Sequence, residues 1–276
     1  MADDLTIDHL AHFLTGHRRV LVLTGAGIST GSGIPDYRDK DGTRRGPTPV
    51  QGPEFRKFEA TRRRYWARSM VGYPTLARAE PNAGHRALAD LAANGAIGAL
   101  MTQNVDGLHQ RAGSTGVLEL HGNIHSVVCL DCHARYTRAF VQGLLDEANP
   151  AMLGATARPL PDGDAQLEPE APASFHEPFC VHCGGMLKPD VVFFGDGVPA
   201  ERSRRALALM DDADALLVVG SSLMVFSGYR FCRMAAAAGK PIAAVNLGKT
   251  RADELLSLKL EAPAERILPQ LRDYLD

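Results

Sequence analysis

Four apolar runs constrain the fold more than any other feature of the chain. They are "VLVLT" (20–24), "AIGALMT" (96–102), "ALLVVG" (215–220) and "PIAAVN" (241–246). Each is continuously apolar rather than alternating, as strands are when both faces of their sheet are covered. Between them lie stretches with helical character, at 82–95, 203–215 and 227–240. This order predicts an α/β fold: a Rossmann-like parallel sheet with helices on both faces. Small and polar residues follow every run: "GAGISTGSG" after Thr24, "TQNVDGLH" after Met101, "GSSL" after Val219 and "NLG" after Val245. Strand ends of a parallel sheet share one edge, where ligands bind. One such loop would mean little, but four at one edge predict a cleft.

Two segments interrupt the pattern. Residues 39–83 are rich in charge, Gly and Pro, with one helix predicted in "PEFRKFEATRRRYWARSM" (53–70); residues 126–187 hold four of the five cysteines. Both read as insertions that build a small zinc-ribbon and helical domain, leaving 1–38, 84–125 and 188–276 as the sheet domain. Residues 145–178 are rich in Pro and acid without periodicity and read as a long loop, either ordered or mobile.

The 276 residues carry a formal net charge of −2, too little to attract nucleic acid or an anionic membrane. No apolar run reaches the roughly 18 to 20 residues that span a bilayer. The opening "MADDLTIDHLAHFL" has neither the basic and apolar regions of a secretory signal nor the composition of a transit peptide. The expectation is a cytoplasmic monomer without nucleic-acid or membrane partners.

Cys129 and Cys132 form one Cys-x-x-Cys pair, and Cys180 and Cys183 a second. Two such pairs supply the four thiolates of tetrahedral zinc, whereas a redox motif explains one pair only. Four sulfurs leave no open position, so the metal is expected to be structural. His133 and His182 read as bystanders. Cys232, in a helical context, reads as a buried, inert thiol.

"TGAGISTGSGIP" follows a strand and is expected to lead into a helix, whose N-terminal amides could cradle a pyrophosphate. It departs from G-x-G-x-x-G, because the third glycine position holds Thr30. A tight turn needing positive φ is the alternative for Gly25 and Gly27. Asp36, Tyr37 and Arg38 follow, placed to cover a bound cofactor or simply to be solvated. His121, at the end of "VLEL" and eight residues before Cys129, lies at a hinge where clefts form. An imidazole there suits proton transfer near neutral pH. His85, His109 and His125 lack that setting and read as structural.

"GAGIST", "SGIPDYR", "TQNVDGLH", "LHG", the two Cys-x-x-Cys pairs, "KPDVVFFGD", "GSSL" and "VNLG" occur in this order. Together the chain resembles a sirtuin from about residue 20 to 265. "RRRYWARSMVGYP", "CLDC", "PDGD" and "SGYRF" look most like class II, the group of the mitochondrial lipoamidase and ADP-ribosyltransferase sirtuin, here in a bacterial form. The resemblance implies NAD-dependent removal of acyl groups from lysine on protein substrates, releasing nicotinamide and O-acyl-ADP-ribose. It implies that His121 is the general base and that Asp106 binds the carboxamide. Gln103 and Asn104 would hold the ribose and a catalytic water. Gly25, Ala26, Gly27, Asp36, Tyr37 and Arg38 would form the loop over the cofactor. Gly220, Ser221, Ser222, Asn246, Leu247, Gly248 and Ala264 would meet the adenosine. "VVFFG" (191–195), with Val192, Phe193, Phe194 and Gly195, would pair with the substrate backbone as an added strand.

Tyr65 and Arg68 stand three residues apart on a predicted helix and hence on one face. Desuccinylase-type sirtuins carry a similar Tyr-x-x-Arg, which implies a preference for lipoyl, methylglutaryl-type or succinyl groups over acetyl. Arg68 reads equally as part of a basic surface with Arg62, Arg63 and Arg64. The long loop with "PDGD" is expected near the acyl channel. Protein mono-ADP-ribosyl transfer and a non-enzymatic zinc-ribbon module remain as alternatives.

Overall fold

The four apolar runs lie side by side in one sheet. The computed structural model describes residues 2–46, 48–160, 165–167 and 174–275. The chain runs through α1 (Ala2–Thr15), β1 (Val20–Thr24), α2 (Gly52–Lys57), α3 (Glu59–Arg78), α4 (Ala83–Ala93), β2 (Ala99–Thr102), α5 (Leu108–Arg111) and β3 (Leu118–Glu119). It continues through β4 (Gly122–Cys129), β5 (Arg135–Thr137), α6 (Arg138–Ala148), β6 (Arg158–Pro159), β7 (Ala165–Gln166) and β8 (Leu187–Val191). The last part holds α7 (Ala200–Asp212), β9 (Ala215–Val219), α8 (Phe226–Ala237), β10 (Ile242–Val245), β11 (Leu258–Leu260), α9 (Ala264–Ile267) and α10 (Arg272–Leu275).

The main sheet has six strands in the order β11-β10-β9-β1-β2-β3, every neighbouring pair parallel. Alternate residues face opposite layers. Val20, Val22, Leu217, Val219, Ala243 and Val245 pack with α1 and α4; Leu21, Leu23, Leu216, Val218, Ile242 and Ala244 pack with α7 and α8. Coverage on both sides explains why the strands are apolar throughout. Cys232 is buried in the second layer, and burial pushes its thiol up to about 12. No helix among the described residues is long and apolar enough to cross a membrane.

β2 starts at Ala99, later than its apolar run, because the Ala96 and Ile97 amides bond to Leu91 O and close α4. The expected helix over 53–70 is two helices. Phe58 has an extended backbone (φ −114°, ψ 119°) and separates α2 from α3. That break brings the Phe55 ring edge-on to Tyr65, with centroids 5.4 Å apart.

The second sheet is β5-β4-β8, antiparallel throughout. The insertion boundaries expected at 126 and 187 fall inside β4 and at the start of β8. Phe55, Tyr65, Trp66 and Met70 of the helical insertion share one core with Val127, Cys129, Val141, Leu145, Cys180 and Leu187 of the cysteine lobe. The lobe's core is therefore built with α2 and α3. Arg138 is fully buried there, 5.4 Å from the Trp66 ring centroid and 4.4 Å from that of Tyr73, where cation–π attraction offsets desolvation. Residues 174–178 are fastened to the same core. Glu177 pairs with Arg62 at 3.1 Å, Phe175 O accepts from Arg63 Nε, and Asn149 bonds to the His176 backbone. "PDGD" (161–164) lies outside the described residues.

β1 is the topological switch point: the chain leaves it toward β2 and β3, then returns to its other side with β9. At that point the loops after β1 and β9 meet backbone to backbone. Gly25 N donates to Val219 O (3.0 Å) and Gly27 N to Gly220 O (2.8 Å). A Cβ on Gly27 would lie 2.8 Å from Gly220 O, and one on Gly220 (φ +60°) would lie 2.3 Å from Ile28 N. Close approach, rather than positive φ, is what Gly27 provides. Gly27→Ala is expected to lower unfolding stability by about 1 to 3 kcal/mol through overpacking. Urea denaturation of the variant beside wild type measures this, and equal midpoints would contradict it.

Candidate functional site

A cleft of about 610 Å³ runs along the C-terminal edge of the main sheet. Its walls come from the loops after β1, β2, β9 and β10 and from the segment after β8. The helix expected after β1 is a 3-10 helix, Ala26–Ser32, ended by Gly33 in the left-handed region (φ 82°). Gly25, Ala26, Gly27, Asp36, Tyr37 and Arg38 all line the cleft. Asp36 pairs with Arg45 at 3.1 Å, while burial pushes its carboxyl above the usual range. Arg38 is turned back onto Gly42 O at 2.7 Å.

The polar cluster after β2 is held from beneath. Asp106 is 4% exposed; Oδ2 accepts from Ser29 Oγ (2.7 Å) and Oδ1 from Leu108 N (3.0 Å). Asn104 Nδ2 donates to Ser29 Oγ (3.0 Å) and Gly25 O (3.2 Å), and its N–H to Thr102 Oγ1 (3.0 Å). Thr24 Oγ1 donates to Thr102 Oγ1 (2.7 Å) and lies 2.9 Å from His109 Nε2. His85 sits 4.9 Å from His109, ring to ring, and 3.4 Å from Ser29 Oγ. Burial drives His85 down to about 4 and His109 to about 3. Buried hydrogen bonds fix side-chain direction, and these hold Asn104 and Asp106 at the cleft they line, while His109 Nδ1 is buried without a hydrogen-bond partner among the described residues.

His121 lines the same cleft. Its Nδ1 lies 2.9 Å from Gln103 O, which can only accept, so Nδ1 carries the proton. Nε2 is therefore the basic nitrogen, 2.7 Å from Ser227 Oγ. Burial, chiefly, with Arg202 and Arg230 adding, pushes the ring down to about 4. The group is neutral at pH 7 and ready to accept a proton. Gln103 Oε1 accepts from Ser221 Oγ at 2.7 Å, tying the β2 and β9 loops together.

Val192, Phe193, Phe194 and Gly195 line the cleft, as do Gly220, Ser221, Ser222, Asn246, Leu247 and Ala264. Val192 N donates to His121 O at 2.7 Å, joining this wall to the imidazole's backbone. Gly248, Tyr65 and Arg68 are not among the lining residues. Gly248 lies behind the wall, its N–H donating to Glu261 Oε1 at 3.2 Å. Tyr65 is 5% exposed, taken into the shared core with Phe55. Its ring packs on the cleft-lining Phe193, with ring centroids 5.0 Å apart. Arg68 is half-buried on α3. Sequence reasoning missed Ser29, Thr24, Thr102 and Ser227, and it set His85 and His109 apart from the site they support.

The four paired cysteines form one cluster, with ligand atoms all within 4.8 Å of one another. Cys129 and Cys183 Sγ are 3.6 Å apart, and Cys132 and Cys180 Sγ 3.7 Å. Zn–S bonds of about 2.3 Å in a tetrahedron require S···S edges of about 3.8 Å, so the four thiols fit zinc. The shell is closed, and neither His133 nor His182 belongs to the cluster.

A model of the Sir2 family matches residues 25–227. "NAD-dependent protein deacetylase 3" of Pseudomonas syringae pv. tomato is 50% identical over 278 residues, 100% of this chain and 99% of that protein. An "NAD-dependent protein deacetylase" of Xanthomonas campestris pv. campestris is 53% identical over 263 residues, 95% of this chain and 90% of its own length. Among solved structures, one described as "Sir2-p53 peptide-NAD+" superposes with a TM-score of 0.77 at 30% identity, covering 96% of both chains. Another, "Structural Basis for the Mechanism and Regulation of Sir2 Enzymes", gives 0.77 at 33% identity, covering 99% of this chain and 98% of its own.

Two outcomes follow from the site's chemistry. Trp66, the single tryptophan, reports on the core shared with Cys129 and Cys180. Removing metal with a chelator is expected to red-shift Trp66 emission as that core loosens; metal loss without a spectral change would contradict the structural role. The second outcome concerns pH. His85, His109 and His121 all have folded values below the ordinary 6.5. The unfolded chain therefore binds protons first, and stability falls as pH drops from about 6.5 toward about 4. His109→Gln is expected to flatten this slope in urea titrations, and an unchanged slope would overturn the assignment.

Proposed function

The chain belongs to the Sir2 family, and from that premise we propose that it is an NAD-dependent protein-lysine deacylase. Acyl-lysine, NAD and water become lysine, nicotinamide and O-acyl-ADP-ribose. The observation that carries the reading is His121. Its Nδ1 proton is committed to Gln103 O, and its basic Nε2 is held within a cleft that also presents Asn104 and Asp106. When bound, NAD supplies a ribose carbon with a nicotinamide leaving group.

The chain's own residues position and protect. Gly25, Ala26, Gly27, Asp36, Tyr37 and Arg38 form the loop assigned to the dinucleotide. Gln103, Asn104 and Asp106 are assigned the nicotinamide and ribose end. Gly220, Ser221, Ser222, Asn246, Leu247, Gly248 and Ala264 are assigned the adenosine side, Gly248 through the loop's backbone. Val192 to Gly195 are assigned the peptide, and His121 Nε2 takes a proton from a sugar hydroxyl. Holding weak nucleophile and base together in a sheltered cleft is where most of the rate gain arises. Zinc on Cys129, Cys132, Cys180 and Cys183 holds the lobe and takes no part at the reacting carbon.

The finer placement in class II rests on the sequence stretches quoted above. A preference for lipoyl, methylglutaryl-type or succinyl groups over acetyl would act through Tyr65, which backs Phe193, with Arg68 one helical turn on. The reading makes the enzyme cytoplasmic and monomeric, with acylated proteins as partners. The test is mass spectrometry on acetyl-, succinyl-, methylglutaryl- and lipoyl-lysine peptides with and without NAD. Expected are O-acyl-ADP-ribose, its loss in His121→Ala by about 10² or more, and a shift toward acetyl in Arg68→Ala. A gain of ADP-ribose mass on protein without free O-acyl-ADP-ribose would replace this reading with ADP-ribosyl transfer.

A further inference from the structure

His121 is gripped at both nitrogens. Gln103 O takes the Nδ1 proton at 2.9 Å, and Ser227 Oγ stands 2.7 Å from Nε2. Ser227 is the second residue of the 12-residue α8 and lines the cleft. Gly228, the next residue, is packed so tightly on Gln103 that a Cβ there would lie 2.6 Å from Gln103 Nε2. The residue that fixes one ring nitrogen thus also seats the turn that fixes the other.

A neutral imidazole protonated at Nδ1 has a single lone pair at Nε2, and here the Ser227 hydroxyl occupies it. That hydroxyl keeps its own lone pairs available to the cleft. On the proposed deacylase reading, we propose that Ser227 is a further catalytic residue, a proton relay between a sugar hydroxyl and His121. The sugar O–H gives its proton to Ser227 Oγ as the Ser227 O–H proton passes to Nε2. The sugar oxygen loses one proton, the imidazole gains one, and serine is unchanged; no oxidant, reductant or leaving group is involved.

Arg230 of α8 and Arg202 of α7 both disfavour the imidazolium. Arg202 lies 3.6 Å from Asp190 of β8, and Glu119 of β3 is held by Gln110 and Asn123. Arg230 lines the cleft beside Ser227 and His121; Arg202, Asp190 and Glu119 are not among the lining residues.

The experiment compares wild type, Ser227→Ala and Ser227→Thr on one acyl peptide with NAD, and follows the His121 ring by NMR in the same free proteins. Ser227→Ala is expected to lower kcat at least about 10-fold with KM for NAD within about twofold, and Ser227→Thr to restore most of it. Removing a donor to the neutral ring is expected to move the His121 titration to higher pH in Ser227→Ala. Wild-type kcat in the alanine variant, no rescue by threonine, or an unmoved titration each overturns the relay. An inactive wild type would sink the deacylase reading and the relay's kinetic role with it. A titration that still shifts would then mark the failure as one of function, with the Ser227–His121 bond standing.

Discussion

Everything at the cleft depends on one backbone contact: the meeting of the loops after β1 and β9, where Gly27 N reaches Gly220 O at 2.8 Å. It lies at the point where the strand order reverses, the place an open parallel sheet offers a crevice. Side chains would hold the loops apart and leave two separate turns. Glycine lets them share one wall. Gly220 N in turn bonds to Val245 O, and Gln103 N to Thr24 O, so loops from four strands are locked into a single edge.

That edge is rigid because it rests on a buried polar layer. Thr24, Thr102, His85 and His109 do not line the cleft, and Ser29 lines its floor; together they set the directions of Asn104 and Asp106. Such a layer is costly unless its groups are paired. Keeping both histidines neutral lowers that cost, and burial does this. The second sheet contributes differently. It is anchored by four thiols and by a core drawn from α2 and α3, and it carries Phe193 and Phe194 to the opposite wall just after β8. Arg138, stacked between Trp66 and Tyr73, joins the cysteine lobe to the helical insertion.

The parallel sheet was legible because burial on both faces writes continuous apolar runs, and the cysteine cluster because metal geometry demands paired spacing. The cleft's position was legible from small residues after each strand. Three features were not. The break at Phe58 has no proline or glycine to announce it. Tyr65 and Arg68 do share a helix, but spacing alone cannot say that the cysteine lobe will cover the tyrosine. Ser29, His85, His109 and Ser227 are single polar residues whose partners lie 56 to 106 positions away, and such pairings leave no local pattern. In sequence, the glycine spacing reads as a phosphate cradle or a turn; in the structure Gly27 seats the loop after β1 against the loop after β9.

Calorimetric titration of the free protein with NAD tests the convergence of these loops most directly, because it needs neither a substrate nor turnover. Saturable uptake of one dinucleotide per chain is expected, weakened in Asp106→Asn. No heat of binding, or binding indifferent to that change, would contradict it.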